Sequence, residues 1–236
     1  MDVICLQETR LSPDAVTPEL TLAGYRSYFS HASKPGYSGV ALLSKLAPDE
    51  IIEGFGSREF DAEGRYLEAR FGALSIASVY LPSGSSGEVR QQAKYRCLAQ
   101  FLTHLRGLVK QQRQVILCGD INIAHQNIDI KNWRGNLKNS GFLPEERAWL
   151  DQLFGAEGFS DGFRAINQSP EQYTWWSNRG QAYAKNVGWR IDYHIVSKTL
   201  VPTIQAAEIY KATKFSDHAP LILDYALSLS QLKAKR

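Results

Sequence analysis

Val115-Ile116-Leu117-Cys118-Gly119-Asp120-Ile121-Asn122 is the stretch whose reading decides the fold. Four residues of apolar character, two of them β-branched, then Gly and two polar side chains, read as a strand buried on both faces that ends in a turn. In α/β architectures the side chains at the carboxyl ends of strands collect at the rim of the sheet, where ligands bind. Asp120 and Asn122 are two residues apart, so on an extended backbone both point the same way, an acceptor and an amide converging on one small target. The plainer alternative is an Asp and an Asn that merely close a loop.

The same pattern recurs toward the amino terminus. Val3-Ile4-Cys5-Leu6 reads as a strand with Gln7-Glu8-Thr9 at its end, which makes Glu8 a second rim candidate beside the commoner solvated loop glutamate. Gly36-Tyr37-Ser38-Gly39 leads into a strand at Val40-Ala41-Leu42-Leu43. Residues 65–71 and 74–80 pair as a hairpin across Gly72-Ala73, and the Tyr80 hydroxyl then lies at the same rim or is an ordinary interfacial tyrosine. From Gly87 to about Gln112 the period changes, and Val89, Ala93, Cys97 or Leu98, Phe101, Leu105 and Leu108 predict a long amphipathic helix packed on a sheet.

Beyond Asn122 a polar, glycine-punctuated loop runs to Lys138, in which Lys131, Asn132, Trp133, Arg134, Asn136 and Lys138 interleave cations, amides and an aromatic. A loop that long is usually functional and suits phosphates, with a solvated basic loop as the alternative. Pro144-Glu145-Glu146 opens a helix whose expected buried face is Ala148, Trp149, Leu153 and Phe154. Tyr173-Thr174-Trp175-Trp176 and Arg190-Ile191-Asp192-Tyr193-His194-Ile195-Val196 read as strands joined by a segment holding Arg179 and Lys185. Trp175, Trp176 and Trp189, flanked by cations, resemble a surface that contacts bases or sugars. Phe215-Ser216-Asp217-His218-Ala219-Pro220 precedes a last strand at 221–225. A lone Asp-His pair is ordinarily a turn or a satisfied histidine, but here it joins other acids that each sit at a strand end or start.

Bulk properties bound the rest. A chain of 236 residues, 44% hydrophobic and 22% charged, is expected to form a single soluble domain over 1–236. The net charge of +3 leaves any nucleic-acid face to local clustering. Three cysteines, Cys5, Cys97 and Cys118, read as reduced thiols, and neither a long apolar run nor a charged leader is present, so a cytoplasmic protein without membrane contact is expected. Glu8, Asp120, Asn122, Asp192, Asp217 and His218 supply hard oxygen ligands and one imidazole, the set that holds Mg²⁺ or Mn²⁺ and activates a water. No Cys/His spacing suits zinc, and no P-loop or dinucleotide fingerprint occurs.

Six strings carry a family resemblance: Leu6-Gln7-Glu8-Thr9, Gly36-Tyr37-Ser38-Gly39-Val40-Ala41, Gly119-Asp120-Ile121-Asn122-Ile123-Ala124, Asn139-Ser140-Gly141-Phe142, Asn186-Val187-Gly188-Trp189-Arg190-Ile191-Asp192-Tyr193 and Ser216-Asp217-His218-Ala219-Pro220. In this order they resemble the exonuclease III family of abasic-site endonucleases, within the endonuclease/exonuclease/phosphatase superfamily. The resemblance covers essentially the whole chain. It implies a four-layered α/β sandwich, two mixed sheets face to face flanked by helices, and a Mg²⁺-dependent DNA-repair phosphodiesterase. Cleavage 5′ to abasic sites in duplex DNA, 3′-exonuclease activity and cleaning of blocked 3′ ends are the implied reactions, by a monomer.

By the same resemblance Glu8 and Asp217 belong to the metal site with Asp120 and Asn122 beside it, and Tyr80 contacts the scissile phosphate. Asp120 orients or deprotonates the attacking water, Asn122 donates a hydrogen bond, and His218, oriented by Asp192, lies on the phosphate. Trp175, Trp189 and Ile191 line a pocket for a flipped-out abasic sugar. Ser83, Asn132, Arg134, Asn136, Arg179 and Lys185 are the remaining DNA-contact candidates. The sequence departs from the family at Ser83, where many members carry asparagine, and at the start, where the family has a further strand and helix before the strand that opens this chain. The domain is therefore expected to be incomplete at its amino end, and the alternatives are a DNA-binding relic with impaired catalysis or a superfamily phosphatase acting on another substrate.

Overall fold

The decisive run folds as expected up to Asp120 and departs from expectation immediately after it. In the computed structural model, which describes residues 1–18 and 22–234, the strands and helices follow in this order. First come β1 (Val3–Gln7), β2 (Arg26–Ser30), β3 (Val40–Ser44), β4 (Glu50–Glu53), α1 (Arg58–Asp61), β5 (Tyr66–Phe71) and β6 (Leu74–Tyr80). Then come α2 (Glu88–Lys110), β7 (Gln114–Asp120), α3 (Trp133–Asn136), α4 (Pro144–Gly155) and β8 (Phe159–Asp161). The last are β9 (Trp175–Trp176), β10 (Gly188–Trp189), β11 (Asp192–Ser197), β12 (Ile204–Ile209), β13 (Leu221–Tyr225) and α5 (Leu229–Ala234). The chain divides into two compact units, one of Met1–Leu81, Ala99–Asp120 and Leu227–Arg236, the other of Pro82–Leu98 and Ile121–Ala226.

The first unit is a sandwich. Strands β4, β5, β6 and β7 lie side by side in that order, antiparallel except for the β6–β7 pair, which is parallel and therefore needs the crossover through α2. A second sheet, β1-β3-β2, is antiparallel throughout, with β1 at its edge. The sheets are stitched face to face where Gln7 Nε2 donates to Ser78 Oγ at 2.9 Å and Ser78 Oγ donates to the Leu6 carbonyl at 3.0 Å. Val40, Ala41 and Leu42 in β3, the middle strand of that sheet, are wholly buried on both of its faces, which is why that strand reads as an unbroken apolar run. The outer face of the larger sheet is covered by α2, whose Phe101 meets Phe55 and Tyr66 edge-on. Sheet, sheet and helix form three of the four layers expected of the sandwich. Gly119 is obligatory in this packing, because a Cβ there would stand 1.8 Å from the Val79 carbonyl oxygen.

The second unit holds the antiparallel pairs β8–β11 and β12–β13, the two-residue pair β9–β10, and α4, where Trp149 Nε1 donates to the Leu98 carbonyl at 3.0 Å. Several expectations shift here. The strand predicted at 173–176 shrinks to the two residues of β9, paired with an unforeseen two-residue β10, while the one predicted at 190–196 stands as β11, starting at Asp192. The Ile191 and Asp192 amides just before and at its start both donate to Thr174 Oγ1, a side chain standing where a ladder partner would be. The loop after Asn122 contains a short helical turn at Asn127–Asp129 and then α3, so it is not structureless. Ala148 is exposed, and the buried stripe of α4 is Glu146, Trp149, Leu150 and Leu153, the spacing of one helical face. Val89 is 82% exposed, since the apolar stripe of α2 begins only at Ala93. No helix among the described residues is long and apolar enough to cross a membrane.

Candidate active site

In the first unit Glu8, Tyr80 and Asp120 converge at strand ends. Glu8 follows β1 in a left-handed conformation, φ +54°, which turns its side chain out of the ladder, and its carboxylate accepts from Arg10 Nη2 at 2.9 Å. Tyr80 and Asp120 are register partners at the carboxyl ends of the parallel strands β6 and β7, and Asp120 is buried. Tyr80 is clamped by Arg65, whose Nη1 donates to the Tyr80 carbonyl at 2.9 Å and whose guanidinium lies 4.9 Å from the centre of the ring. Burial, and then the Asp120 and Glu8 carboxylates beside it, push the Tyr80 phenol far above its ordinary value. It therefore stays a proton-bearing donor at any pH at which the protein works.

In the second unit Asn122, Asp192, Asp217 and His218 are placed by backbone pairing. Asn122 does not continue the extended strand. Its φ is +57°, so the side chain is aimed by a left-handed turn and not by the two-residue alternation with Asp120. Asp192 opens β11, and its carboxylate oxygens lie 2.9 and 3.2 Å from His218 Nδ1. A carboxylate only accepts, so this contact fixes the proton on Nδ1 and makes Nε2 the basic nitrogen of the neutral ring. His218 is held opposite Trp175 by an isolated bridge, with the Trp176 amide donating to the Asp217 carbonyl at 3.0 Å. The Asp217 carboxylate accepts from Trp175 Nε1 at 3.1 Å.

The apolar candidates gather. Ile191 packs in one cluster with Ala124, Ile130 and Phe142, bordered by Trp133, Trp175 and Trp189, and the rings of Trp175 and Trp189 meet edge-on at 6.1 Å. Gly141 lies beneath them, where a Cβ would come 3.0 Å from the Trp189 ring and 3.1 Å from the Asn122 carbonyl. The polar candidates are spread more widely. Asn132 precedes α3, and Arg134 lies on it with its guanidinium 4.5 Å from the Trp133 ring centre. The Asn136 amide is spent locally, donating to the Asn132 carbonyl at 3.0 Å and accepting from Asn139 at 2.7 Å. Arg179 and Lys185 are exposed on the turn between β9 and β10, and Ser83 Oγ lies 2.9 Å from Ser85 Oγ in the connection before α2.

Residues 1–218 match the family model described as the endonuclease/exonuclease/phosphatase family. The chain belongs to that family. It is 40% identical over 232 residues to the DNA repair nuclease APEX1 of Danio rerio, covering 96% of this chain and 74% of that protein. It is also 40% identical over 223 residues to an exodeoxyribonuclease of Bacillus subtilis, covering 94% of this chain and 87% of the relative. Among solved structures, the catalytic domain of Xenopus laevis APE2 superposes with a TM-score of 0.85 at 27% identity, covering 95% of this chain and 83% of that one. A 3′ phosphatase from Neisseria, solved with a product DNA hairpin, shares the fold at a TM-score of 0.87 and 24% identity, covering 96% of this chain and 89% of that one. The resemblance to exonuclease III-type abasic-site endonucleases read from the six strings thus extends along the chain.

Nucleases of this family generally depend on a divalent metal, and the donor set of the first unit fits one. Glu8 and Asp120 both bring hard carboxylate oxygens to the Tyr80 phenol, the chemistry of a Mg²⁺ or Mn²⁺ ligand set.

Sequence reasoning missed the groups that hold the endonuclease/exonuclease/phosphatase residues in place. Lys94, wholly buried in α2, donates to the Asn122 carbonyl at 2.8 Å and to Glu146 at 2.5 Å. The other Glu146 oxygen accepts from the Gly141 and Leu143 amides at 2.6 and 3.0 Å. One buried ion pair therefore anchors both the Asn122 turn and the glycine under Trp189. The signal was present in the sequence, because Lys94 stands four residues before Leu98 and seven before Phe101, on the apolar stripe itself. A second buried network joins Arg190 to Asp129 at 2.8 Å and to Asp161 at 2.6 Å, and no periodicity announces it.

Proposed function

We propose that the protein is a Mg²⁺- or Mn²⁺-dependent DNA-repair phosphodiesterase that cleaves duplex DNA on the 5′ side of abasic sites and also trims or cleans 3′ ends. The observation that carries the reading is the Tyr80–Asp120 pair at adjacent strand ends, with Glu8 beside the phenol, in a chain whose relatives are named as DNA repair nucleases and exodeoxyribonucleases. Residues 1–236 are read as one catalytic domain acting as a cytoplasmic monomer with its three cysteines, none of them in a disulfide here, reduced.

The chemistry follows from the side chains. Water adds to phosphorus while the bond to the 3′ oxygen breaks; that oxygen takes a proton from solvent, leaving a 3′ hydroxyl on one fragment and a 5′ phosphate on the abasic sugar. Asp120 accepts the proton of the attacking water, and the Asn122 amide serves as a hydrogen-bond donor. Tyr80 donates to a non-bridging phosphate oxygen as charge builds there, the kind of fixed donor that lowers such barriers most. His218, its Nδ1 committed to Asp192, presents Nε2 to the phosphate. A cation bound through Glu8 and Asp120 would neutralise phosphate charge. The Trp175, Trp189 and Ile191 surface suits a sugar without its base and excludes a bulkier intact nucleotide. Exposed Arg134, Arg179 and Lys185 serve the backbone, with Asn132, Asn136 and Ser83 as hydrogen-bonding neighbours.

A substrate panel tests this reading: a duplex with one abasic analogue, an intact duplex, a duplex ending in a 3′ phosphate, and a soluble phosphoinositide. Metal-dependent turnover of the abasic and 3′-phosphate duplexes above the others is expected. Faster hydrolysis of the phosphoinositide than of any DNA would overturn it.

A further inference from the structure

Phe215 is 71% exposed, and no other Phe, Tyr or Trp among the described residues is as open to solvent. Its ring lies nearly parallel to that of Tyr210, at 6.0 Å and 16°, so one face is backed and the other looks outward. Tyr210 is itself anchored, its amide donating to the Pro220 carbonyl at 2.9 Å. The two lysines between them lie against the wall that leads to the β9–β10 turn: Lys211 Nζ is 5.4 Å from the Trp176 ring centre and Lys214 Nζ is 5.1 Å from that of Tyr183. The outcome is an exposed aromatic face backed by Tyr210, with two lysines on the same turn, three residues before His218.

We propose that Tyr210 and Phe215 form a stacking platform for an unpaired base of the DNA strand next to the scissile phosphate, with Lys211 and Lys214 on its backbone. The proposal rests on the DNA-cleaving reading above and specifies which DNA the site prefers. Three extended residues reach about 10 Å, so the platform lies within a few base steps of whatever His218 touches. A base inside a duplex is covered on both faces, and only a terminal or unpaired base has a face to offer a protein ring. Base stacking on an aromatic face is tolerant of sequence, and cations beside it match a phosphate backbone. A protein partner fits poorly, because a stable interface buries on the order of 800 Å² on each side, whereas here a single apolar ring stands among lysines. The platform therefore favours frayed, mismatched or overhanging 3′ ends.

The test uses the full chain with chelator, so that nothing is cut, and a duplex with two unpaired 3′ nucleotides of which the last is 2-aminopurine. Binding is expected to quench its fluorescence. Phe215→Ala should lose the quench and lower the ratio of affinities for the overhanging over the blunt duplex about tenfold, the scale of one stacked base. Phe215→Trp should restore both. An unchanged quench or ratio in Phe215→Ala, or the same loss in Phe215→Trp, overturns the platform. Binding and quenching without hydrolysis in any divalent metal would leave the platform standing and overturn the enzymatic reading. Failure to bind either duplex would overturn both.

Discussion

His218 Nδ1 lies 2.9 Å from Asp192 Oδ2, at the point where β11 begins and the Trp175 bridge holds the imidazole in place. The pair sets which nitrogen is basic, so its removal should strike turnover and not binding. His218→Ala and Asp192→Asn are each expected to lower kcat about 10²–10⁴-fold, the usual worth of a positioned proton-transfer group, with DNA affinity within threefold of the parent. Single-turnover kinetics beside equilibrium binding checks this. Equal losses in both quantities would mean that the pair only shapes the surface.

Lys94 and Glu146 form a wholly buried ion pair that also satisfies the Asn122 carbonyl and the Gly141 and Leu143 amides. Removing one partner leaves a buried charge without compensation. Lys94→Met or Glu146→Gln should therefore destabilise the fold by about 3–5 kcal/mol, measured by urea unfolding. The double variant Lys94→Met/Glu146→Leu should recover much of that stability while activity stays low, because the Asn122 turn has lost its anchor.

Gly119→Ala would place a methyl carbon 1.8 Å from the Val79 carbonyl, and β6 and β7 would have to separate to admit it. A cost of about 3 kcal/mol is expected in chemical unfolding. Tyr80 and Asp120 sit one step farther along the same two strands, so activity should fall further than the stability loss alone accounts for.

His104 is packed among Phe55, Tyr66 and Phe101, and burial there lowers its proton affinity below the ordinary histidine value. The folded state thus favours the neutral ring. The stability this gives is complete above the unfolded value of about 6.5 and is lost as pH falls below it toward the folded value. Melting temperature should drop between pH 7 and 5, and His104→Phe should flatten that limb of the profile. An unaltered acid limb in the variant would assign the drop to other groups.

Strand runs and strand-end acids were legible because they follow simple rules of burial and period. Val40–Ser44 and Gln114–Asp120 announce themselves as unbroken apolar segments, and the α2 stripe from Ala93 to Leu108 is plain. The face-to-face sheets were not readable from periodicity and came only from the resemblance, since no local pattern says which sheet a strand joins. Asn122 misled because alternation assumes extended backbone, and a left-handed turn cancels it. Lys94 and Glu146 were overlooked because buried charge is rare, so neither a lysine on an apolar stripe nor an acid in a first helical turn is expected to pair inside the fold. Phe215, beside the acid-histidine pair, was seen only as the start of that string.

The most direct test of the central claim is cleavage of an end-labelled duplex carrying one abasic analogue, with Mg²⁺ and with chelator, the product mapped to single-nucleotide resolution. The account predicts a single incision on the 5′ side of the analogue, leaving a 3′ hydroxyl, only when the metal is present. Incision that persists in chelator, a cut on the 3′ side, or bound but intact DNA in both Mg²⁺ and Mn²⁺ would contradict it.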